Sequence, residues 1–178
     1  MGRQLQADEA MPRARRSAER ALAIDDSLSE AWAVLGRVKM EYDWDWHGAE
    51  ADLAHAVALN PSSVEALATY GQFLSAMGRH DEAIDNMERA KRLDPRRLET
   101  LQFFGMVYWM AGEADRALDA FSDALVVGPH SLRGHMGRIT ILDQIGRHDE
   151  AMAERLVFLK RFDDTNALAR QVAELRRS

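Results

Sequence analysis

Small and apolar residues recur along the chain at the three- and four-residue spacing of helices that bury one face. This spacing predicts one helix over about residues 63–76 and a second over about 80–92, each with a polar outer face. The inward positions are Leu67, Tyr70, Gly71 and Leu74 in the first helix and Ala83, Ile84, Met87, Ala90 and Leu93 in the second. The pattern therefore predicts an all-α fold built from helical hairpins.

The hairpin recurs at a constant interval along the chain, which can be read from columns of identical residue type. The columns are Pro61, Pro95 and Pro129; Gly71 and Gly105; Ala56, Ala90 and Ala124; and Ala83, Ala117 and Ala151. We call the shared step, such as that from Pro61 to Pro95, the repeat interval. It predicts units at residues 29–62, 63–96, 97–130 and 131–163, with a half-unit helix over residues 1–28 before them and a capping helix over residues 164–178 after them.

The terminal units depart from this common pattern. Gly36 lies one residue farther from Pro61 than Gly71 lies from Pro95, so the first unit carries one inserted residue near its turn. The fourth unit is degenerate, since Ile139 replaces the packing glycine, Arg155 the aromatic residue and Asp163 the proline. In the half-unit helix, the positions expected to face inward are Ala14, Ala18, Ala21, Leu22 and Ile24.

The string GRHDEA occurs at residues 78–83 and again at 146–151. The intervening copy at residues 112–117 reads GEADRA, which keeps the glycine and the aspartate but not the histidine. We expect Gly78, Gly112 and Gly146 to close helices in the left-handed conformation, and Asp81, Asp115 and Asp149 to lie in the next first turns. The string is therefore predicted to be a helix–turn–helix joint and not an active site.

Three further glycines fall inside predicted helices, where glycine costs about 1 kcal/mol relative to alanine. Gly36, Gly71 and Gly105 therefore need a compensating gain. Because they lack side chains, they are predicted to let the paired helix approach closely.

WAVLG at residues 32–36, followed by AEADLAHAVALNP at residues 49–61, resembles the tetratricopeptide repeat, whose period of roughly 34 residues is also the repeat interval here. YGQFL with AIDNMERAKRLDP, and FGMVY with ALDAFSDALVVGP, repeat the resemblance, which covers the chain from about residue 10 onward. It implies a right-handed superhelical α-solenoid of stacked antiparallel helix pairs. The DWDW string at residues 43–46 also resembles tetratricopeptide modules of bacterial multidomain regulators.

The composition of the chain argues against several classes of function. A formal net charge of −6 and a pI near 5.5 argue against a nucleic-acid surface, which needs clustered cations. The absence of cysteine excludes disulfides and thiolate metal sites. No apolar stretch approaches the ~18 residues that span a bilayer. We therefore expect a cytoplasmic protein that binds neither nucleic acid nor membrane and carries no cofactor.

The segment YDWDWHGAE at residues 42–50 holds the side chains that most suggest a metal site, namely Asp43, Asp45, His47 and Glu50. Their spacing matches no known ligand motif. The favoured interpretation is that Trp44 and Trp46 pack between helices to accommodate the inserted residue, while aspartates cap the next helix. The six histidines form no i, i+4 pair and are expected at the surface or in turns, and no catalytic residue is predicted.

The resemblance implies a groove, lined by the first helix of each unit, that holds a partner protein or peptide. Its predicted lining is Arg37, Met40, Thr69, Gln72, Phe103, Met106, Trp109, Arg133, Met136 and Thr140. Phe103, Met106 and Trp109 form an apolar stretch suited to an amphipathic segment. The competing interpretation is that Trp109 packs between the third and fourth units.

Two functions follow. The first is a non-catalytic protein–protein interaction scaffold that binds a peptide or helical segment in this groove. The alternative is a regulatory or self-associating segment of a larger bacterial signalling or transcription-regulator polypeptide, in which the unpaired first helix exposes an apolar edge. Upstream sequence or a second copy of the chain would cover that edge, the latter giving a homodimer.

Overall fold

The computed structural model describes residues 7–160, in which the regular elements are all helices. They are α1 (Ala7–Leu22), α2 (Ser29–Val38), a π-helical turn (Lys39–Asp43), α3 (Trp46–Leu59), α4 (Val64–Ala76), α5 (His80–Leu93), α6 (Leu98–Met110), α7 (Ala114–Val127), α8 (Leu132–Gln144) and α9 (148–160). The predicted all-α fold is confirmed over this range. The capping helix predicted at residues 164–178 lies outside the described residues.

The chain forms two compact units that divide between Pro95 and Arg96. In the first unit, α2 packs against α3 and α4 packs against α5, and α2 also packs against α4. In the second unit, α6 packs against α7, and α8 packs against both. Within each unit, the first helices of successive hairpins are therefore neighbours.

The turn glycines adopt the predicted left-handed conformation. Gly78, Gly112 and Gly146 have φ angles of 76°, 81° and 81°. The Gly78 amide donates to the Ser75 carbonyl at 3.0 Å, and the next amide, of Arg79, donates to the Leu74 carbonyl at 2.9 Å. These two bonds satisfy carbonyl groups that the end of α4 leaves unpaired.

The glycines inside the first helices lie where a neighbouring helix comes close. A Cβ added to Gly36 would lie 2.5 Å from Leu53 Cγ, and one added to Gly105 would lie 2.7 Å from the Phe121 ring. Both distances are far below van der Waals contact, so any other residue would force the helices apart. The predicted close approach is confirmed.

Two apolar residues predicted to face inward are exposed, and those predictions are wrong. Ile24 lies two residues beyond the end of α1, where the chain has already turned away from the buried face of that helix. Leu93 is the last residue of α5 and projects past its neighbours. Helical spacing predicts which side a residue faces, but burial also needs a neighbouring element at that height, and neither end position has enough of one.

The apolar edge expected on the first helix is not found on α1, and that expectation is also wrong. α1 packs against α2 and buries Ala18. Its exposed positions are mainly charged and include Glu9, Arg13, Arg16, Glu19 and Arg20. The side of α1 that faces away from α2 is therefore charged rather than apolar. No helix in residues 7–160 combines the length and apolar content needed to cross a membrane.

Candidate functional site

The apolar part of the predicted groove lies on α6 and α8 in the second unit. Met106 and Met136 are exposed on neighbouring helices, and buried Phe121 lies beneath them. Together with their neighbours these side chains surround an open cavity of about 250 Å³. We call it the apolar cleft, and it is lined by Met106, Trp109, Phe121, Arg133, Met136, Gly137, Thr140 and Ile141.

The floor of the apolar cleft depends on a glycine that the sequence analysis missed. A Cβ added to Gly137 would lie 2.5 Å from Phe121 Cζ, and a Cβ on Gly105 would meet the same ring. The Phe121 ring therefore fits between two helices only because both facing positions are glycine. Gly137 stands one repeat interval after Phe103, outside the glycine columns, so the periodicity could not reveal it.

A cation lies at the rim of the apolar cleft. The guanidinium carbon of Arg133 lies 5.1 Å from the centroid of the Phe103 ring, within the ~6 Å range of a cation–π contact. This contact connects α6 to α8 at the surface and holds the charge beside the apolar side chains. An occupant of the apolar cleft would thus meet apolar side chains at the floor and a positive charge at the edge.

The residues predicted from the first unit are arranged differently. Arg37 donates to the Thr69 hydroxyl at 2.8 Å and also pairs with Glu65, so its guanidinium is already engaged. Thr69 and Met40 are buried, whereas Gln72 is half-buried. Met40 belongs to the π-helical turn, where an extra residue per turn rotates side chains away from the positions that α-helical spacing predicts. Neither Met40 nor Thr69 presents an open surface to a partner.

The joint between α2 and α3 corrects one prediction and confirms another. Trp44 is 69% exposed, so the prediction that it packs between helices is wrong. The inserted residue is accommodated instead by the π-helical turn. Asp45 caps α3 as predicted, since its carboxylate accepts a hydrogen bond from the Gly48 amide at 2.9 Å. In the described part of the chain, no three histidine or carboxylate side chains converge as metal ligands would.

A buried polar cluster connects α8 to α9. His135 is only 2% exposed, which corrects the expectation that histidines lie at the surface or in turns. Its Nδ1 contacts the Glu154 carboxylate, and its Nε2 lies 3.1 Å from the Pro129 carbonyl oxygen. Arg138 Nε donates to the same carboxylate at 2.9 Å. We call His135, Arg138 and Glu154 the polar cluster; it borders a second open cavity of about 340 Å³.

The polar cluster also fixes the ionisation of its carboxylate. Burial raises the pKa of Glu154, but the hydrogen bonds from His135 and Arg138 outweigh burial and hold that pKa below its ordinary value. Arg138 in addition donates to the Leu118 carbonyl at 3.3 Å and to the Ser122 hydroxyl, so it connects α8 to α7 as well. Glu154 accepts from two side chains, and Arg138 donates to groups on both α7 and α9. Because the polar groups of the cluster are occupied by one another, the cluster stabilises the fold and is not a free binding site.

Comparison with known proteins places this helical architecture in a family. Two models of the tetratricopeptide repeat match residues 62–126 and 104–164, which together exceed half of the chain. The chain belongs to the tetratricopeptide repeat family. Membership confirms the predicted fold class of stacked helix pairs. Among curated proteins, no sequence matches this tetratricopeptide repeat chain.

Solved structures show the same fold. A crystal structure of MamA is 24% identical, covering 86% of this tetratricopeptide repeat chain and 89% of the MamA chain with a TM-score of 0.72. PilF of Pseudomonas aeruginosa is 21% identical, covering 96% of this chain and 85% of the PilF chain with a TM-score of 0.73. At such identities the similarity describes the fold alone.

The regular tetratricopeptide repeats show what the polar cluster replaces. One repeat interval earlier, Leu101 stands at the position of His135, Phe104 at that of Arg138 and Ala120 at that of Glu154. All three residues of the third repeat are buried. For His135 and Arg138 the signal was therefore present in the sequence, because their columns hold apolar or aromatic residues in the earlier repeats. The column of Glu154 already holds Asn86 and Asp52 in earlier repeats, so Glu154 gave no such signal.

The same comparison singles out Trp44. Trp44 occupies, in the first repeat, the position that Gly78, Gly112 and Gly146 occupy in the later repeats. Like them it has a positive φ, of 58°. Among the described residues it is the one non-glycine residue with a positive φ. A residue with a side chain loses about 1–2 kcal/mol in this conformation. The first repeat thus places a large exposed aromatic side chain where the other repeats have glycine.

Proposed function

We propose that this chain is a non-catalytic scaffold that binds an apolar segment of a partner protein in the apolar cleft. The observation that carries the proposal is the open cavity of about 250 Å³, in which exposed methionines surround a buried aromatic floor. Exposed methionine clusters are suited to partners because the flexible thioether adapts to different side chains. Tetratricopeptide repeat proteins are generally scaffolds of this kind, which supports the assignment.

The chemistry of the apolar cleft defines what it would bind. A leucine- or phenylalanine-sized side chain of the partner would cover Met106 and Met136, and burying one such side chain is worth about 1.5–3 kcal/mol. Arg133 at the rim would attract a carboxylate next to that side chain. Because association has its own entropic cost, a single anchor gives weak binding, and a partner needs flanking contacts along α6 and α8.

Matched methionine variants test the proposal. Met106→Asp places a carboxylate in the apolar cleft, whereas Met152→Asp places one at an exposed methionine of α9 that does not line it. Peptides selected from a random display library on the wild-type chain should contain an apolar anchor. They should bind Met152→Asp as they bind wild type and should lose at least about tenfold in affinity for Met106→Asp. Equal binding to both variants would reject the apolar cleft as the site.

Self-association through the N-terminal helix, as part of a larger regulator, is the second candidate. Its original support was an apolar edge, and the exposed face of α1 is charged instead. A dimer through this face would therefore rest on ion pairs, which salt weakens. Sedimentation of the chain at low and high salt tests this, because a monomer under both conditions removes the candidate.

A further inference from the structure

The joint between α2 and α3 presents two indole rings at the surface. Trp44 is 69% exposed and Trp46 is about one-third exposed. Their ring centroids lie 5.9 Å apart with an interplanar angle of 66°, so the two rings meet in an edge-to-face contact while most of the Trp44 side chain remains in solvent. We call this pair the indole notch.

The backbone under the indole notch adopts the left-handed conformation that this turn requires, but a tryptophan adopts it only at an energetic cost. Trp44 has a positive φ, and the equivalent turns of the later repeats use glycine. Most of its side chain lies in solvent, so burial does not compensate for the backbone cost. An exposed tryptophan at a position where glycine would adopt the same backbone without strain indicates a function. The preceding π-helical turn agrees, since such turns are frequent at functional sites.

The surroundings hold the indole notch in place. Asp43, which precedes Trp44, pairs with Arg15 of α1. Asp45, which follows it, caps α3 through the Gly48 amide. The Trp46 ring lies 6.4 Å from the buried Phe73 ring, which anchors one ring of the notch to the core. The rings are therefore preorganised, which reduces the entropy lost on binding.

The charges around the indole notch select a cation. Residues 41–50 contain four carboxylates and no lysine or arginine. Arg15 and Arg79 balance Asp43 and Glu50. The remaining two carboxylates, of Glu41 and Asp45, have no ion pair within the described residues, so the segment that carries the two indoles has an excess of negative charge. An indole face is the aromatic surface that binds cations best.

We propose that the indole notch binds a lysine or arginine side chain of a basic segment on a partner protein. The cation would stack on the Trp44 ring while Glu41 and Asp45 attract the flanking positive charges. A guanidinium suits the site better than an ammonium, because its planar group stacks on an indole and is more weakly hydrated. The proposal stands apart from the apolar cleft, which lies in the other unit.

Nuclear magnetic resonance of the indole N–H groups tests the proposal on the full chain. The chain has four tryptophans, so each indole signal can be assigned by substitution. The probe is a capped peptide of alternating arginine and serine at low salt, with a glutamate–serine peptide as its matched control. We expect the arginine peptide to shift the Trp44 and Trp46 signals. The Trp109 signal and the Trp32 signal, whose N–H donates internally to the Asp26 carbonyl, should not move.

Two variants decide the outcome. Trp44→Gly gives the first repeat the residue of the other turns, so it should fold, and it should weaken binding of the arginine peptide by about five- to thirtyfold. Glu41→Gln keeps both rings and should weaken binding by about two- to fivefold at low salt. Met106→Asp should bind the peptide as wild type does, because it changes only the apolar cleft.

Four results would overturn the proposal. They are an unshifted Trp44 signal, equal binding of the acidic peptide, unchanged affinity in Trp44→Gly, and self-association of the chain that depends on Trp44. Binding to phosphatidylserine vesicles is measured as a further test. Trp44-dependent binding to these vesicles without peptide binding would assign the exposed ring to a membrane surface instead.

Discussion

Replacing Glu154 by alanine would remove the acceptor that His135 and Arg138 share. Breaking a buried ion pair by removing one partner costs about 3–5 kcal/mol. The side chains of Glu154 and Arg138 are 14% and 23% exposed, so water would replace part of the lost interaction. We therefore expect Glu154→Ala to lower the free energy of unfolding by about 2–3 kcal/mol.

A triple variant separates the loss of pairing from the loss of packing. His135→Leu, Arg138→Phe and Glu154→Ala together restore the residues that the third repeat has at these positions. Replacing a buried ionic cluster with well-packed apolar residues is often neutral, or stabilising by about 1–4 kcal/mol. We expect the triple variant to be at least as stable as the wild type, although one of its substitutions alone is strongly destabilising.

Urea unfolding followed by circular dichroism measures both variants, and equal m-values would show that the same surface unfolds in each. The control is Glu150→Ala, which removes an exposed carboxylate of α9 that pairs with Arg147, the residue before this helix. It should change stability by less than about 1 kcal/mol. Two results would refute the energetic coupling of the three side chains. One is a loss of stability in Glu154→Ala no greater than in the control, and the other is a triple variant destabilised by as much as its three single substitutions added together.

The remaining predictions concern single positions. Gly105→Leu should lower the melting temperature through overpacking against Phe121, at a cost of about 1–3 kcal/mol, and an unchanged melt would contradict the close approach of α6 and α7. Trp44→Gly should raise the free energy of unfolding by about 0.5–1 kcal/mol, because glycine adopts the positive φ without strain, although it also adds entropy to the unfolded chain. A destabilised variant in the same urea assay would show that the indole contributes to the fold. Acidification should destabilise the wild type more steeply than Glu154→Gln. The pKa of Glu154 is depressed in the folded chain, so its contribution is present above the ordinary glutamate value of 4.5 and is lost as the pH falls through the folded pKa. Parallel stability–pH curves for the two proteins would contradict this.

The hairpins and their joints could be predicted from the sequence because each structural requirement of a repeat places the same residue type at several equivalent positions. Gly78, Gly112 and Gly146 occupy one column, and a left-handed turn explains all three. The packing glycines Gly36 and Gly105 follow the same logic, since each removes a clash with the facing helix. A requirement that appears once has no such support. Gly137 clears space for Phe121 in a single repeat, and the sequence analysis missed it.

The errors at the candidate sites came from assuming regular geometry through irregular positions. The α-helical spacing predicts Met40 on the groove, but Met40 lies in the π-helical turn and is buried. Trp44 was placed between helices because aromatic residues usually bury area. Its position one repeat interval before Gly78 already indicated a left-handed turn, where a side chain projects outward. His135 stands in a leucine column, which indicated burial.

Some residues differ from those at the equivalent positions of the other repeats. Such a residue either has a partner in the chain that offsets its energetic cost or has none. In the fourth repeat, the departures at His135 and Arg138 are compensated, since Glu154 accepts hydrogen bonds from both side chains. The stability of the fold itself can account for such a set. In the first repeat, Trp44 introduces backbone strain and exposes its ring, and burial returns little of the cost. An uncompensated cost points to a use outside the chain, so of these two departures the indole notch, and not the polar cluster, is where a partner contact besides the apolar cleft should be sought.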